Sequence, residues 1–263
     1  MSEHQCGGCG GCGGGGHGPQ QPEPKLAPHP LSQIKTVIGV TGGKGGTGKS
    51  LVTALLAAEL TKKGEQVAVI DADILAPALP QMFQLPQGVT RGEEGLYPAL
   101  SDGGVKVMSI SLLMENEVDS VTWHSPVMAG ILQQLWSNVV WDEVDCLLID
   151  LPPGTGDVSL VAFERLPLDG LVLVSTPQAL VNQAVERTLR LAAEKQVPVL
   201  GLIENFSGFF GGDAAEALAA QYQIPLTDRL AFDPLLADAA DEGRVESLGS
   251  AYLPKTTALI EAL

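Results

Sequence analysis

Basic residues are scarce in this chain. Fifteen Lys and Arg face thirty-one Asp and Glu, a formal net charge of −16 over 263 residues. Sequence-independent nucleic-acid binding needs clustered cations, so this balance argues against nucleic-acid partners. It argues equally against an anionic membrane surface. No apolar run reaches the roughly 18 residues of a membrane span. The basic-then-apolar order of a secretion signal is also missing from the N-terminal stretch. Together these predict a cytoplasmic protein with no membrane partner. Cysteine is sparse too, at four residues. In a reducing compartment they read as ligands or buried thiols rather than disulfides.

Three of the four cysteines sit in one stretch, "CGGCGGCGGGGHG", as Cys6, Cys9 and Cys12. A proline-rich segment follows, with Pro19, Pro22, Pro24, Pro28 and Pro30, which favours extended backbone. Residues 1–33 have little apolar content and are expected to form a disordered tail unless a ligand orders them. Thiolates on two-residue spacers can converge on one metal centre, because the intervening chain is short and turn-prone. Iron–sulfur ferredoxins begin with the same spacing. A soft metal such as zinc or nickel, held by three thiolates and a histidine, fits the same residues. Cys146 lies inside an apolar run and reads as a buried structural thiol.

From residue 34 to 263 the pattern is that of one globular domain. Apolar, β-branched runs at 35–41, 66–71, 145–150, 170–176 and 197–203 read as buried strands. Helical stretches are expected at 49–63, 126–139, 180–195, 213–222, 233–241 and 255–263, and 86–104 reads as loop. The alternation predicts an α/β fold, a doubly wound and mostly parallel sheet with helices on both faces.

Between the first strand and the first helix lies Gly43-Lys44-Gly45-Gly46-Thr47-Gly48-Lys49-Ser50, followed by Leu51. This is the phosphate-loop pattern in its proper context. Its glycines let backbone N–H groups converge on phosphate oxygens, and the helix N-terminus adds a favourable dipole. Lys49 is placed to reach the β- and γ-phosphates, and the Ser50 hydroxyl to hold Mg²⁺. Acidic residues close two further strands: Asp71 and Asp73 in "VIDADI", and Asp150 in "LLIDLPPGTGD". Strand C-terminal ends face the ligand crevice of such a sheet. Asp150 and Asp71 are candidates for the magnesium shell, and Asp73 for orienting the attacking water.

The segment "GGKGGTGKS" resembles the deviant Walker A group of ATPases, in which the extra lysine, here Lys44, crosses a homodimer to reach the partner's phosphates. The motifs "DADILAPALP", "LIDLPPGTGD", "STPQ", "VLGLIENFSG" and "DEG" follow in the order and spacing of the Mrp/ApbC family. Members of that family are MinD-like P-loop ATPases that carry iron–sulfur clusters. The resemblance covers about residues 35–248. It implies slow, dimer-dependent ATP hydrolysis and delivery of a [4Fe–4S] cluster to client apoproteins. It also implies adenine contacts from Asn205 and from the segment at Asp233-Pro234. The N-K-x-D motif that would read guanine is missing. So is the family's C-x-x-C pair after "ENxS": here "IENFSGFFGGDAAEALA" runs on without a cysteine. On this reading the N-terminal thiols take over the cluster. The competing readings are an accessory ATPase inserting nickel or another metal, and a MinD-like positioning ATPase. The second would need a basic amphipathic C-terminal helix, which "YLPKTTALIEAL" does not supply.

Overall fold

The computed structural model describes residues 24–114, 125–249 and 251–263. Three strands form the middle of the fold. β1 (Gln33–Gly42) is flanked on one side by β7 (Glu143–Asp150) and on the other by β8 (Gly170–Ser175), all parallel. Beyond β7 lie β2 (Val67–Asp71) and β6 (Lys106–Ser109), with β5 (Ala99–Leu100) as an antiparallel edge. Beyond β8 lie β9 (Val199–Ser207) and β10 (Leu226–Ala231). The eight-stranded order is β10-β9-β8-β1-β7-β2-β6-β5. A separate hairpin pairs β3 (Thr90–Arg91) with β4 (Leu96–Tyr97). The expected doubly wound, mostly parallel architecture is observed.

Period-two alternation along the strands separates two cores. Val37, Leu147 and Ile149 face one side, packed under α3 (Ser125–Ser137), α4 (Asp157–Arg165), α5 (Ala179–Glu194) and α6 (Ala214–Tyr222). Ile38, Val40, Cys146 and Leu148 face the other, under α1 (Lys49–Lys62), α2 (Leu79–Met82), α7 (Pro234–Asp241) and α8 (Pro254–Glu261). Helix α1 is buried along almost its whole length, which explains its continuous run of Leu, Val and Ala. Cys146 is a core thiol: burial pushes it up to about 12, which keeps it protonated and unreactive.

Two buried carboxylates pin the C-terminal segment. Glu59 on α1 accepts from the backbone N–H groups of Tyr252 and Leu253. Asp228 on β10 accepts from Thr256 N at 2.8 Å and from the Thr256 hydroxyl at 2.6 Å, capping the first turn of α8.

Residues 24–32 are seated on the body of the domain. Leu26 N–H donates to the Arg165 carbonyl (2.7 Å), and the Trp136 indole donates to the Leu26 carbonyl (3.1 Å). Cys6, Cys9 and Cys12 lie outside the described residues.

Candidate nucleotide site

The site forms where β1, β7 and β2 end side by side. Register pairs Val40 with Asp150 and Asp150 with Asp71, so both carboxylates emerge beside the loop that leaves β1. That loop is tightly enclosed at its two ends. A Cβ at Gly43 would stand 2.6 Å from the Val181 carbonyl and 2.7 Å from the Val185 nitrogen, so only glycine lets the loop lie on α5. Gly48 has φ +82° and would place a Cβ 2.1 Å from the Asn205 side-chain nitrogen. Gly45 and Gly46 face open space. Thr47 turns inward and donates from its hydroxyl to the Lys44 carbonyl at 3.3 Å. Leu51 packs against the α1-side core.

Lys49 is nearly buried, and its ammonium lies 2.8 Å from Asp150 Oδ1 and 3.5 Å from Asp73 Oδ2. Ser50 donates to Asp150 Oδ2 at 2.6 Å. Asp150 therefore sits under both the lysine and the hydroxyl of the phosphate loop. Thr53, one turn further along α1 and fully buried, contributes a hydroxyl 3.0 Å from Asp150 Oδ1. Sequence reasoning missed Thr53; its position four residues after Lys49, on the same helical face, was the available signal.

Asp71 is fully buried and accepts backbone N–H groups from Asp73 (3.2 Å), Ala78 (3.1 Å) and Leu79 (3.3 Å), so it shapes the loop after β2. Burial, reinforced by the neighbouring Asp150 carboxylate, pushes its carboxyl up to about 8. Asp73 stands in the half-open mouth, and burial raises it as well, against the pull of Lys49. Lys44 is exposed on the outer rim of the loop.

Asn205 closes the back of the loop. It is buried, its amide donates to the Thr47 carbonyl at 2.9 Å, and its oxygen accepts from Phe206 N–H at 2.9 Å. An amide carries two N–H donors, so one remains for a ligand. Phe206 follows with φ +57°, a costly conformation for a non-glycine residue. Its ring packs near Phe210 and Phe232, and Phe209 stacks against Phe232 at 4.8 Å between centroids. Asp233 caps α7 by accepting from Leu235 N–H (2.9 Å), with Pro234 at the first helical position.

A glycine-lined loop, a lysine at the start of the helix behind it and a hydroxyl–carboxylate pair at the same helix N-terminus form a donor set suited to a magnesium nucleotide. Residues 33–261 match the family model described as ParA: NUBPL iron-transfer P-loop NTPase. This chain belongs to that family. Among relatives of the NTPase, an iron-sulfur cluster carrier protein of Clostridium perfringens is 38% identical over 231 residues, which is 81% of each chain. A nucleotide-binding protein from Archaeoglobus fulgidus, solved in complex with ADP, superposes with a TM-score of 0.73 at 38% identity, covering 83% of this chain and 90% of that one. MinD of Pyrococcus horikoshii shares the fold, with a TM-score of 0.62 at 20% identity over 88% and 96% of the two chains. Among the described residues of this P-loop NTPase, no group of three or more His, Cys, Asp or Glu side chains forms a metal cage. None of its described helices is long and apolar enough to cross a membrane.

Proposed function

We propose that this protein binds and hydrolyses ATP and carries an iron–sulfur cluster, of the [4Fe–4S] type, to client apoproteins in the cytoplasm. Cys6, Cys9 and Cys12 hold the cargo. The observation that carries the reading is the Lys49–Asp150–Ser50 constellation, set in a family whose relatives include cluster carriers. In the nucleotide-bound state Lys49 turns from Asp150 to the β- and γ-phosphates. Ser50, with Asp150 and Asp71 beside it, would hold magnesium. Magnesium supplies charge neutralisation across the phosphates. Asp73 orients the attacking water and accepts a hydrogen bond from it, a role favoured by its raised proton affinity. Backbone N–H groups of residues 43–50, with Leu51 behind them, hold the phosphate chain. Asn205 and the Asp233-Pro234 turn border the adenine.

Lys44 points outward and acts on the phosphates of a second copy, so hydrolysis is slow and requires a homodimer. The rim around the site supports that reading. Leu180, Phe209, Phe232 and Leu235 are large apolar side chains, each about half exposed or more, on the segments that follow β8, β9 and β10. They flank the nucleotide mouth as a face that needs covering.

Anaerobic reconstitution with iron and sulfide, followed by visible absorption and transfer to an apoprotein that requires a [4Fe–4S] cluster, tests the carrier function. Loading that survives Cys6→Ser, Cys9→Ser and Cys12→Ser together would remove the thiol arm from it. Zinc or nickel in place of iron in protein purified without oxygen would favour the metal-insertion reading. Light scattering with a non-hydrolysable ATP analogue tests the dimer, and a monomer at saturation would refute it.

A further inference from the structure

The segment that leads into the thiol arm follows a consistent path. Ser32 meets residues 139–141: its hydroxyl donates to the Val139 carbonyl (3.4 Å) and accepts from Trp141 N–H (2.8 Å). Ala27 meets Ser137, whose hydroxyl lies 3.5 Å from the Ala27 carbonyl. Leu26 meets Trp136 and Arg165, and the Lys25 ammonium donates to the Phe163 carbonyl at 2.8 Å. As the chain is traced toward its N-terminus, its partners step backward along α3 and along α4. It therefore climbs the seam between these helices from their C-terminal ends toward their N-terminal ends.

The same seam opens at its upper end into a cavity of about 130 Å³. Ile74, Leu75, Met128, Pro152, Pro153 and Val158 line it, and Asp73 borders it. It is too small for a drug-sized ligand, which needs roughly 300 Å³ or more, but it has room for one or two side chains. Leu75 and Val127, at this end of the seam, are exposed apolar residues.

We propose that the proline-rich stretch of this chain's own arm, residues 18–24, continues up the α3–α4 seam and seats Pro22 in this cavity. The lengths agree. From Trp136 back to Met128 is eight helical residues, about 12 Å at 1.5 Å per residue. From Leu26 back to Pro22 is four residues, about 12 Å at the 3.1 Å rise of polyproline II. Gly18-Pro19-Gln20-Gln21-Pro22-Glu23-Pro24 has the composition for that extended form, which loses little conformational freedom when it docks on an apolar surface. The ten residues from Pro22 to Cys12 reach at most about 33 Å. That length is enough for the thiols to reach the C-terminal ends of the central strands, where Asp73 and the phosphate loop stand. The two loops that wall the cavity, after β2 and after β7, are those carrying Asp73 and following Asp150, so the seat of the arm and the nucleotide site share two loops. The placement stands whether or not the thiols hold a cluster.

The test is a full-length chain with Cys6, Cys9 and Cys12 changed to Ser, carrying Pro22→Cys together with Met128→Cys. Under mild oxidation an intrachain disulfide is expected, forming at least about tenfold faster than in a control pairing Pro22→Cys with Leu259→Cys on α8, because the seam raises the effective concentration. Equal rates, or disulfides formed only between chains, would overturn the proposal. A second measurement leaves the cavity unaltered. With methyl-labelled methionine, a Pro19→Gly, Pro22→Gly chain is compared with the natural one. The Met128 resonance should shift while those of Met82 and Met108 stay in place. A Met128 shift no larger than theirs would also overturn it.

Discussion

Changing Gly48 to Ala tests how the phosphate loop is held. Gly48 combines φ +82° with an Asn205 amide that would lie 2.1 Å from any Cβ. The left-handed conformation costs alanine about 1–2 kcal/mol. The methyl group must also expel the Asn205 side chain, breaking its bond to the Thr47 carbonyl and leaving buried polar groups unpaired, for about a further 1–3 kcal/mol. Gly48→Ala should therefore destabilise the nucleotide-free protein by about 2–5 kcal/mol. Asn205→Ala alone should cost about 1–3 kcal/mol, for the loss of its hydrogen bonds. The two together should cost less than their sum by about 1–3 kcal/mol, because the steric and hydrogen-bond losses at Asn205 are then counted once. Urea denaturation of all four proteins gives the cycle. Additivity to within about 0.5 kcal/mol would mean that Asn205 does not press on Gly48 in solution, and would refute this account of how the loop is enclosed.

Lys49→Met should abolish nucleotide binding by equilibrium dialysis. Without nucleotide it should also lower stability at neutral pH by about 3–5 kcal/mol, since Asp150 loses its buried counter-charge; unchanged stability would refute the ion pair. Asp71 has a folded-state value of about 8, above the ordinary 3.8, so the stability it contributes is complete below about pH 4 and is lost as pH rises through 8. The nucleotide-free protein should thus lose stability across that window, and Asp71→Asn should flatten the loss; an identical pH profile in calorimetry would refute the shift. Asp73→Ala should retain ATP binding, because Asp73 stands at the mouth rather than in the cradle, and lose hydrolysis by about 10²-fold or more; hydrolysis at the parent rate would remove it from the reaction.

Much of the site was legible in the sequence because its chemistry is local. The phosphate loop needs its glycines, lysine and serine within one turn and one helix start, so spacing alone located Gly43 through Ser50. Asp71 and Asp150 were visible because each ends an apolar strand, and strand ends point at the crevice. Helix α4 was not read. Its sequence, DVSLVAFER, follows Pro-Pro-Gly-Thr-Gly and carries a mixed pattern, and its helicity rests on packing Val158, Ala162 and Phe163 against the core. Strand β10, LTDRLA, was missed for a related reason: it lies at the sheet margin, so charged residues interrupt its alternation. The expected loop at 86–104 contains the short β3, β4 and β5, whose two-residue lengths leave no periodicity to detect. Composition predicts a tail over residues 1–33. Residues 24–32 instead follow the seam through backbone carbonyls and a tryptophan more than a hundred positions away, contacts that local composition does not encode.

The charges around Lys49 set a requirement on any ligand. Asp71, Asp73 and Asp150 surround one buried ammonium, and two of the three carboxyls are driven toward their neutral forms, chiefly by burial. Lys49 therefore has no charge to spare before a nucleotide arrives, because Asp150 already pairs with its ammonium. A triphosphate would bring several more negative charges and would compete with Asp150 for Lys49, leaving that carboxylate without its partner. A divalent cation held at Ser50 would answer both deficits, supplying positive charge beside Asp150, to which the Ser50 hydroxyl donates in this structure. Nucleotide binding should therefore be strengthened by magnesium, most of all for the triphosphate. It should be weaker for ATP than for ADP without the metal and stronger with it, a reversal that titration calorimetry reads directly; equal affinities with and without magnesium would contradict the charge count.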